Sequence, residues 1–359
     1  MKPSLIIFFV LFCLVAVSAQ DSAFDKDPWP EAKKGPIKVF ILAGQSNMQG
    51  QASLRTLEYL IYNQETASES QHWKDRNGDW NERRDVWVTT TDGDRSGYLK
   101  PGYGANEWKF GPELGLGWRM GEHFVEQVLL IKTCWGGRSV KKDFLPPSEP
   151  FPSDESLQPE LERVRKRQPE TSLDQVKGAY GKAYRDMIAR SKKILTDPKA
   201  FFPDCEEGRV LELAGFVWFQ GWNDMVDGAQ RQEDYANYTK RIGSLIRDVR
   251  RDLDAPGLPV VIGELGASDR GAFQRAQENV TRLEGFSGNV IFSKTRQFWE
   301  PELAEMVGEN VWKGADWVRF YNVGSDRGYH YLGSGRMMMK MGIAFGEGII
   351  PMLGVPSER

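Results

Sequence analysis

Apolar residues gather into short runs that alternate with stretches of helical spacing. Runs of strand length cover 39–43, 125–132, 215–220, 260–264 and 289–293, each bounded by glycine, proline or polar residues. Near-continuous hydrophobicity over so few residues is what a strand covered on both faces requires. Helical patterning follows these runs. One helix opens at Gly111-Pro112-Glu113, since proline suits a first helical turn, and a last helix covers about 334–346. Met338, Met341 and Phe345 recur along it at helical spacing and read as core rather than as a cofactor box. Strands alternating with helices predict an α/β fold with a doubly wound parallel sheet. In such sheets the functional residues gather at the carboxyl ends of the strands.

Two stretches break the alternation. Residues 51–109 are polar, aromatic and turn-rich, with a strand-like Val86-Trp87-Val88-Thr89-Thr90. Residues 141–202 carry proline-rich turns and then charged helical segments over 161–167 and 176–195. Both are expected to be insertions on the catalytic face of a single domain covering 20–359. The first residues differ again: Lys2, an apolar run over 5–17, and Val17-Ser18-Ala19 describe a secretory signal peptide over 1–19. The run is shorter than the roughly 20 residues a bilayer span needs, and bulky Phe12 before Cys13 argues against a lipoprotein site. The mature chain is therefore expected to be secreted or periplasmic, without membrane insertion.

Composition narrows the picture modestly. The chain has 359 residues, 40% hydrophobic and 27% charged, enough for one sizeable core. A net charge of -3 with mixed signs, and no basic stripe, argues against a nucleic-acid partner. Cys134 and Cys205 remain after the signal segment, to pair or to stand as two separate buried thiols. Neither lies near another Cys or His at ligand spacing, so no metal and no cofactor is expected.

The chemistry concentrates at strand ends. In Ile41-Leu42-Ala43-Gly44-Gln45-Ser46-Asn47-Met48 a buried strand ends in glycine, and the serine follows at a helix start. Amide hydrogens there can stabilise a developing oxyanion, although such a serine can equally be a helix cap. Histidine is scarce, with three in the chain. His72 lies in a polar loop and reads as a surface or cleft residue, and His123 reads as a structural residue of a helix. His330, in Gly324-Ser325-Asp326-Arg327-Gly328-Tyr329-His330, is the candidate general base, with a carboxylate four residues earlier. Gly136-Gly137 after the second strand and Gln220-Gly221-Trp222-Asn223-Asp224 after the third add donors: a backbone N–H and the Asn223 amide.

Together, Gly-Gln-Ser-Asn-Met at 44–48, Gly-Gly at 136–137, Gln-Gly-Trp-Asn-Asp at 220–224 and the segment at 326–330 resemble the blocks of SGNH hydrolases. More narrowly, they resemble the carbohydrate esterase family containing sialate O-acetylesterase and acetylxylan esterases, over about 37–348. The Gly-Gln-Ser-Asn form separates this group from the Gly-Asp-Ser lipases. The resemblance implies a three-layer α/β/α, flavodoxin-like fold and a metal-free acyl-enzyme mechanism. It makes Ser46 the nucleophile, His330 the base and Asp326 its orienting acid. The oxyanion hole would be the Ser46 amide, the Gly137 amide (or that of Gly136) and the Asn223 side chain. Gln45, Gln220 and Trp222 are expected to line the substrate site.

Two positions depart from the family pattern. The acid and histidine are usually spaced Asp-x-x-His, whereas Asp326 stands one residue further back. Either the loop bulges, or another carboxylate such as Glu264 serves, or Ser46 and His330 act as a dyad. The third block commonly reads Gln-Gly-Glu-Ser-Asp, and Trp222-Asn223 here restores the asparagine of the wider superfamily. The expected activity is removal of acetyl esters from a polysaccharide or oligosaccharide. Several of the 12 tryptophans (Trp73, Trp80, Trp87, Trp108) fall in the polar insertion, and one or two are expected to touch sugar. The rivals are an SGNH esterase for non-carbohydrate acyl esters and a non-catalytic glycan-binding relative.

Overall fold

The computed structural model describes residues 26–91, 95–226, 231–266 and 271–354. The 1–19 segment read as a signal peptide lies outside them. Seven strands form the main sheet: β1 (Lys33–Gly44), β2 (Arg83–Thr90), β3 (Ser96–Leu99), β4 (Glu126–Cys134), β5 (Leu211–Phe219), β6 (Val260–Gly263) and β7 (Val290–Ser293). Their spatial order is β3-β2-β4-β1-β5-β6-β7. All neighbours are parallel except the edge pair β2–β3. All five apolar runs are strands. The strand-like segment in the 51–109 stretch joins the sheet as β2, parallel to β4, so this stretch contributes to the sheet itself.

The helices that shape the site are α1 (Ser46–Gln49), α2 (Leu54–Tyr62), α3 (Pro112–His123), α4 (Lys182–Thr196), α5 (Trp222–Val226), α6 (Arg231–Asp252), α7 (Gly271–Asn279) and α8 (Gly335–Ile349). Strand side chains alternate between faces, and the core divides accordingly. Val39, Ile41 and Ala43 of β1 pack with Tyr184 and Met187 of α4, Ile242 and Leu245 of α6 and Phe273 of α7. Phe40 and Leu42 pack on the other face with Leu57 of α2, Leu114 and Met120 of α3, and Met338, Met341 and Phe345 of α8. The methionine stripe is therefore core, and the architecture is a three-layer α/β/α sandwich. Helices α3 and α8 approach closely through glycine. A Cβ on Gly115 would lie 2.1 Å from the Met339 carbonyl oxygen, and one on Gly342 would lie 2.1 Å from that of Pro112.

The polar stretch opens and closes on one short antiparallel ribbon, Ala52–Ser53 with Lys109–Phe110. The second irregular stretch holds helices Asp154–Arg165 and Leu173–Ala179, which share a small satellite core of Leu157, Leu161 and Val176, and then α4, which packs on β1 and so belongs to a layer of the sandwich rather than to an insertion. The carboxyl ends of β1, β4 and β5 meet side by side, since Gly44 pairs with both Cys134 and Phe219. That edge positions the site.

Candidate active site

Ser46 owes its place to a tight exit from β1. Gly44 has φ 153°, and a Cβ there would lie 2.2 Å from the Phe219 carbonyl oxygen, so only glycine fits. Ser46 then begins α1. Gln45 before it is 2% exposed: its Nε2 donates to Asn223 Oδ1 (3.2 Å) and its Oε1 accepts from the Gly221 N–H (3.1 Å). With its oxygen occupied, the Asn223 amide keeps its NH2 group as the free donor. One glutamine thus ties the serine turn to the start of α5.

The turn after β4 borders the serine. A Cβ on Gly136 would stand 3.9 Å from Ser46 Cβ, and Gly137 follows in a left-handed conformation with φ 69°. Two carboxylates hold the loop beyond. Asp143 accepts from the Ser139 N–H (2.9 Å), and Asp224 accepts from the N–H groups of Val140 (2.9 Å) and Lys141 (3.1 Å). Burial raises the Asp224 carboxyl above its ordinary value, against the lowering effect of these donors. Gln220, expected at the substrate, is instead fully buried. Its Nε2 donates to the Arg138 carbonyl (2.9 Å) and to Asp224 Oδ2 (2.7 Å), and its own carbonyl accepts from Tyr238 (2.9 Å). It is a brace beneath the site, because the strand end directs this side chain inward.

His330 Nδ1 lies 2.7 Å from Asp326 Oδ2. The other oxygen of Asp326 accepts from the amides of Gly328 (3.2 Å) and Tyr329 (3.0 Å). Burial raises this carboxyl, but the bonds from His330 and the two amides outweigh it and hold it below the usual carboxylate range. From the histidine onward the backbone takes an unusual path. His330, Tyr331 and Leu332 all adopt left-handed φ, at 53°, 54° and 55°. Such a run costs roughly 1–2 kcal/mol per residue for side chains larger than glycine. Tertiary bonds offset that cost. The Leu332 carbonyl accepts from Ser325 (2.9 Å) and Asp326 (3.0 Å), and the Tyr331 hydroxyl donates to the Glu264 carbonyl (2.9 Å) and accepts from the Gly266 amide (2.7 Å).

Ser46 and His330 line one cavity of about 270 Å³, together with Gln45, Trp222, Leu265 and Trp299. Tyr329, 59% exposed, forms its outer lip and meets Trp222 edge-to-face at 5.6 Å. The Glu264 carboxylate accepts from the Arg296 amide (2.9 Å), and it is Asp326 that meets His330. His72, read as a surface or cleft residue, packs against Trp29, Trp73 and Trp118 in an aromatic cluster. His123 closes α3 against Phe124. Cys134 and Cys205 are both free and buried, in cores on opposite faces of the sheet, which keeps them apart. Among the described residues no group of three His, Cys, Asp or Glu side chains is placed to hold a metal ion, and no helix is long and apolar enough to cross a membrane.

Asp224, Tyr329, Tyr331 and Trp299 were not singled out from sequence. Asp224 ends a motif that was recognised, so its position carried a signal. Tyr329 lies inside the 326–330 block and Tyr331 just past it, whereas Trp299 has no motif nearby.

Ser46 and His330 share one cavity at the carboxyl ends of a parallel sheet, with Asn223 tied to the serine turn through Gln45 and Asp326 bonded to the histidine. The chain belongs to the carbohydrate esterase family of sialic acid-specific acetylesterases, whose model matches residues 36–297. It is a carbohydrate esterase. The chain is similar to a protein of known structure from Arabidopsis thaliana (14% identity, 88% of this chain and 98% of that one, TM-score 0.48). It is also similar to a carbohydrate acetylesterase from Xanthomonas citri (13% identity, 73% and 51%, TM-score 0.43). A third similar structure is NanS (15% identity, 73% and 79%, TM-score 0.41). No curated protein sequence matches the chain.

Proposed function

We propose that this esterase removes O-acetyl groups from a polysaccharide or oligosaccharide through a Ser46-His330-Asp326 triad. The observation that carries the reading is the 2.7 Å His330–Asp326 contact at the rim of the cavity that Ser46 enters. With Nδ1 bonded to the carboxylate, Nε2 is the nitrogen left to take the serine proton. Ser46 Oγ attacks the acetyl carbonyl. The Ser46 amide, the Gly137 amide of the turn beside it and the Asn223 NH2 group receive the oxyanion. His330 then returns the proton to the departing sugar hydroxyl, and water, activated by the same imidazole, releases acetate from the acyl-enzyme.

The aromatic lip supports a sugar on the leaving-group side. Trp222, Trp299 and exposed Tyr329 offer faces and edges on which a pyranose can stack. The reading is tested by acetate release from acetylated xylan and from O-acetylated sialic acid, wild type against Ser46→Ala. Release lost in Ser46→Ala supports it. Binding of these glycans without release by the folded wild type would favour a binding protein. We also propose export of the mature chain, supported by the charge, apolar run and small residues of 1–19. N-terminal sequencing of protein recovered outside the cytoplasm should begin near residue 20, and an intact Met1 there would oppose it.

A further inference from the structure

The serine turn is too short to hold itself in place. Helix α1 has four residues, and its N-cap Gln45 makes no side-chain capping bond. A single turn fixes several dihedrals for very few hydrogen bonds, so its geometry must be imposed from outside. At the front, Gln45 ties it to Asn223 and Gly221. At the back, a charged pair lies beneath it that plays no part in the triad.

Lys132 sits on β4, opposite Leu42 of β1, directly after the apolar run Val128-Leu129-Leu130-Ile131. Its side chain is 2% exposed and that of Glu113 is 0% exposed. The ammonium has three protons and three acceptors: Glu113 Oε2 (2.9 Å), the Gln49 carbonyl that ends α1 (2.9 Å) and the Tyr103 carbonyl (2.6 Å). The second oxygen of Glu113 accepts from the Gly111 amide (2.9 Å). A cation at a helix C-terminus and a carboxylate in the first turn of α3 both suit the local dipoles. The same seam is sealed by backbone. The Gly50 carbonyl accepts from Ala105 (2.8 Å), and a Cβ on Gly50 would lie 2.4 Å from the Gly111 nitrogen.

We propose that Lys132 and Glu113 form the positioning unit that sets the place of Ser46 relative to His330 and the oxyanion donors. The inference rests on the serine mechanism proposed above. Stability alone does not account for the pair, because well-packed apolar residues at such sites are often as stable or more so. Direct chemistry does not account for it either, since both side chains are shut off from the cavity. What the pair supplies is direction: one ammonium fixes the end of α1, the Tyr103 segment and the opening of α3 at a single point.

The test compares Lys132→Met, Glu113→Gln and the apolar double variant Lys132→Met/Glu113→Leu with wild type, using p-nitrophenyl acetate. Three quantities are read: kcat and KM, the unfolding midpoint, and amide hydrogen exchange over 46–50. We expect kcat to fall about 100-fold in Lys132→Met and about 10-fold in Glu113→Gln, with KM within about twofold, since an ångström of misplacement costs that much. The double variant should recover the unfolding midpoint of Lys132→Met without recovering kcat. Exchange over 46–50 should rise in every variant. Wild-type kcat in Glu113→Gln, or kcat that merely follows the midpoint, would overturn the proposal. Should the double variant not fold, Glu113→Gln, which keeps the shape of the side chain, decides alone. If Ser46→Ala retains wild-type turnover, the serine mechanism itself fails. The exchange data still report whether the pair orders the turn.

Discussion

His330 and Asp326 stand four residues apart and meet at 2.7 Å, at the start of a left-handed turn that continues through Tyr331 and Leu332. The turn begins at His330 itself, so its backbone sets the direction from which the imidazole leaves the chain. Asp326→Asn keeps the shape of the acid and removes its charge. The amide can offer its NH2 group to Nδ1 and so favour the wrong tautomer. We expect kcat to fall by up to about 10⁴-fold, the loss that a wrong tautomer causes when a triad acid is neutralised, with little change in KM. Steady-state kinetics checks this. Loss of less than about fivefold would support a Ser46–His330 dyad.

The left-handed turn is held by the Tyr331 hydroxyl, which also lies 3.2 Å from Thr295 Oγ1. Tyr331→Phe removes that hub and leaves the Gly266 amide without its partner. Such a deletion costs about 1–3 kcal/mol, and strain in the turn should find its release in movement of His330. The variant should unfold at lower denaturant concentration and lose kcat in larger proportion than its stability. Unchanged kcat in a destabilised protein would show that the turn keeps its shape without the hydroxyl.

Tyr329 and Trp222 meet at the outer lip of the cavity, where a sugar would lie rather than the acetyl group. Tyr329→Ala should raise KM for acetylated oligosaccharide about 5- to 30-fold, equivalent to roughly 1–2 kcal/mol of stacking. Its kcat/KM for p-nitrophenyl acetate should stay within about threefold. Equal effects on both substrates would place the tyrosine in support of His330, not in sugar recognition.

His72 carries a pH signature unrelated to catalysis. Burial first, and the nearby Arg83 charge second, push its imidazole from the ordinary 6.5 down to about 4. A group depressed in the folded state is protonated more readily in the unfolded chain. Its contribution is therefore complete above pH 6.5 and is lost as pH falls towards about 4, by up to about 3 kcal/mol. The unfolding midpoint should drop across that interval, and His72→Phe, which suits the surrounding tryptophans, should flatten the drop. An identical slope in the variant would show that other groups govern acid stability.

Much of this fold can be read before any coordinates. Buried parallel strands are apolar runs ended by glycine, and the positions of Ser46, Gly136–Gly137 and Asn223 follow from where those runs stop. What could not be read depends on direction and on distant partners. Gln220 looks like a site residue from its motif, and only the strand geometry shows that it points into the protein. Lys132 looks like the end of an apolar run until Glu113, Gln49 and Tyr103 are folded around it. The turn at His330 runs against local preference, because leucine and tyrosine rarely adopt positive φ. Its conformation is imposed by Ser325, Glu264 and Gly266, which lie outside the turn in sequence.

Whether Ser46 carries the acyl group can be read by trapping the intermediate. The wild-type protein is mixed with p-nitrophenyl acetate, quenched in acid within the first turnover and digested for mass spectrometry. One acetyl group is expected on the peptide containing Ser46, preceded by a burst of p-nitrophenol, and neither signal in Ser46→Ala. Steady release of acetate with no acetyl on that peptide, and undiminished in Ser46→Ala, would contradict the serine mechanism.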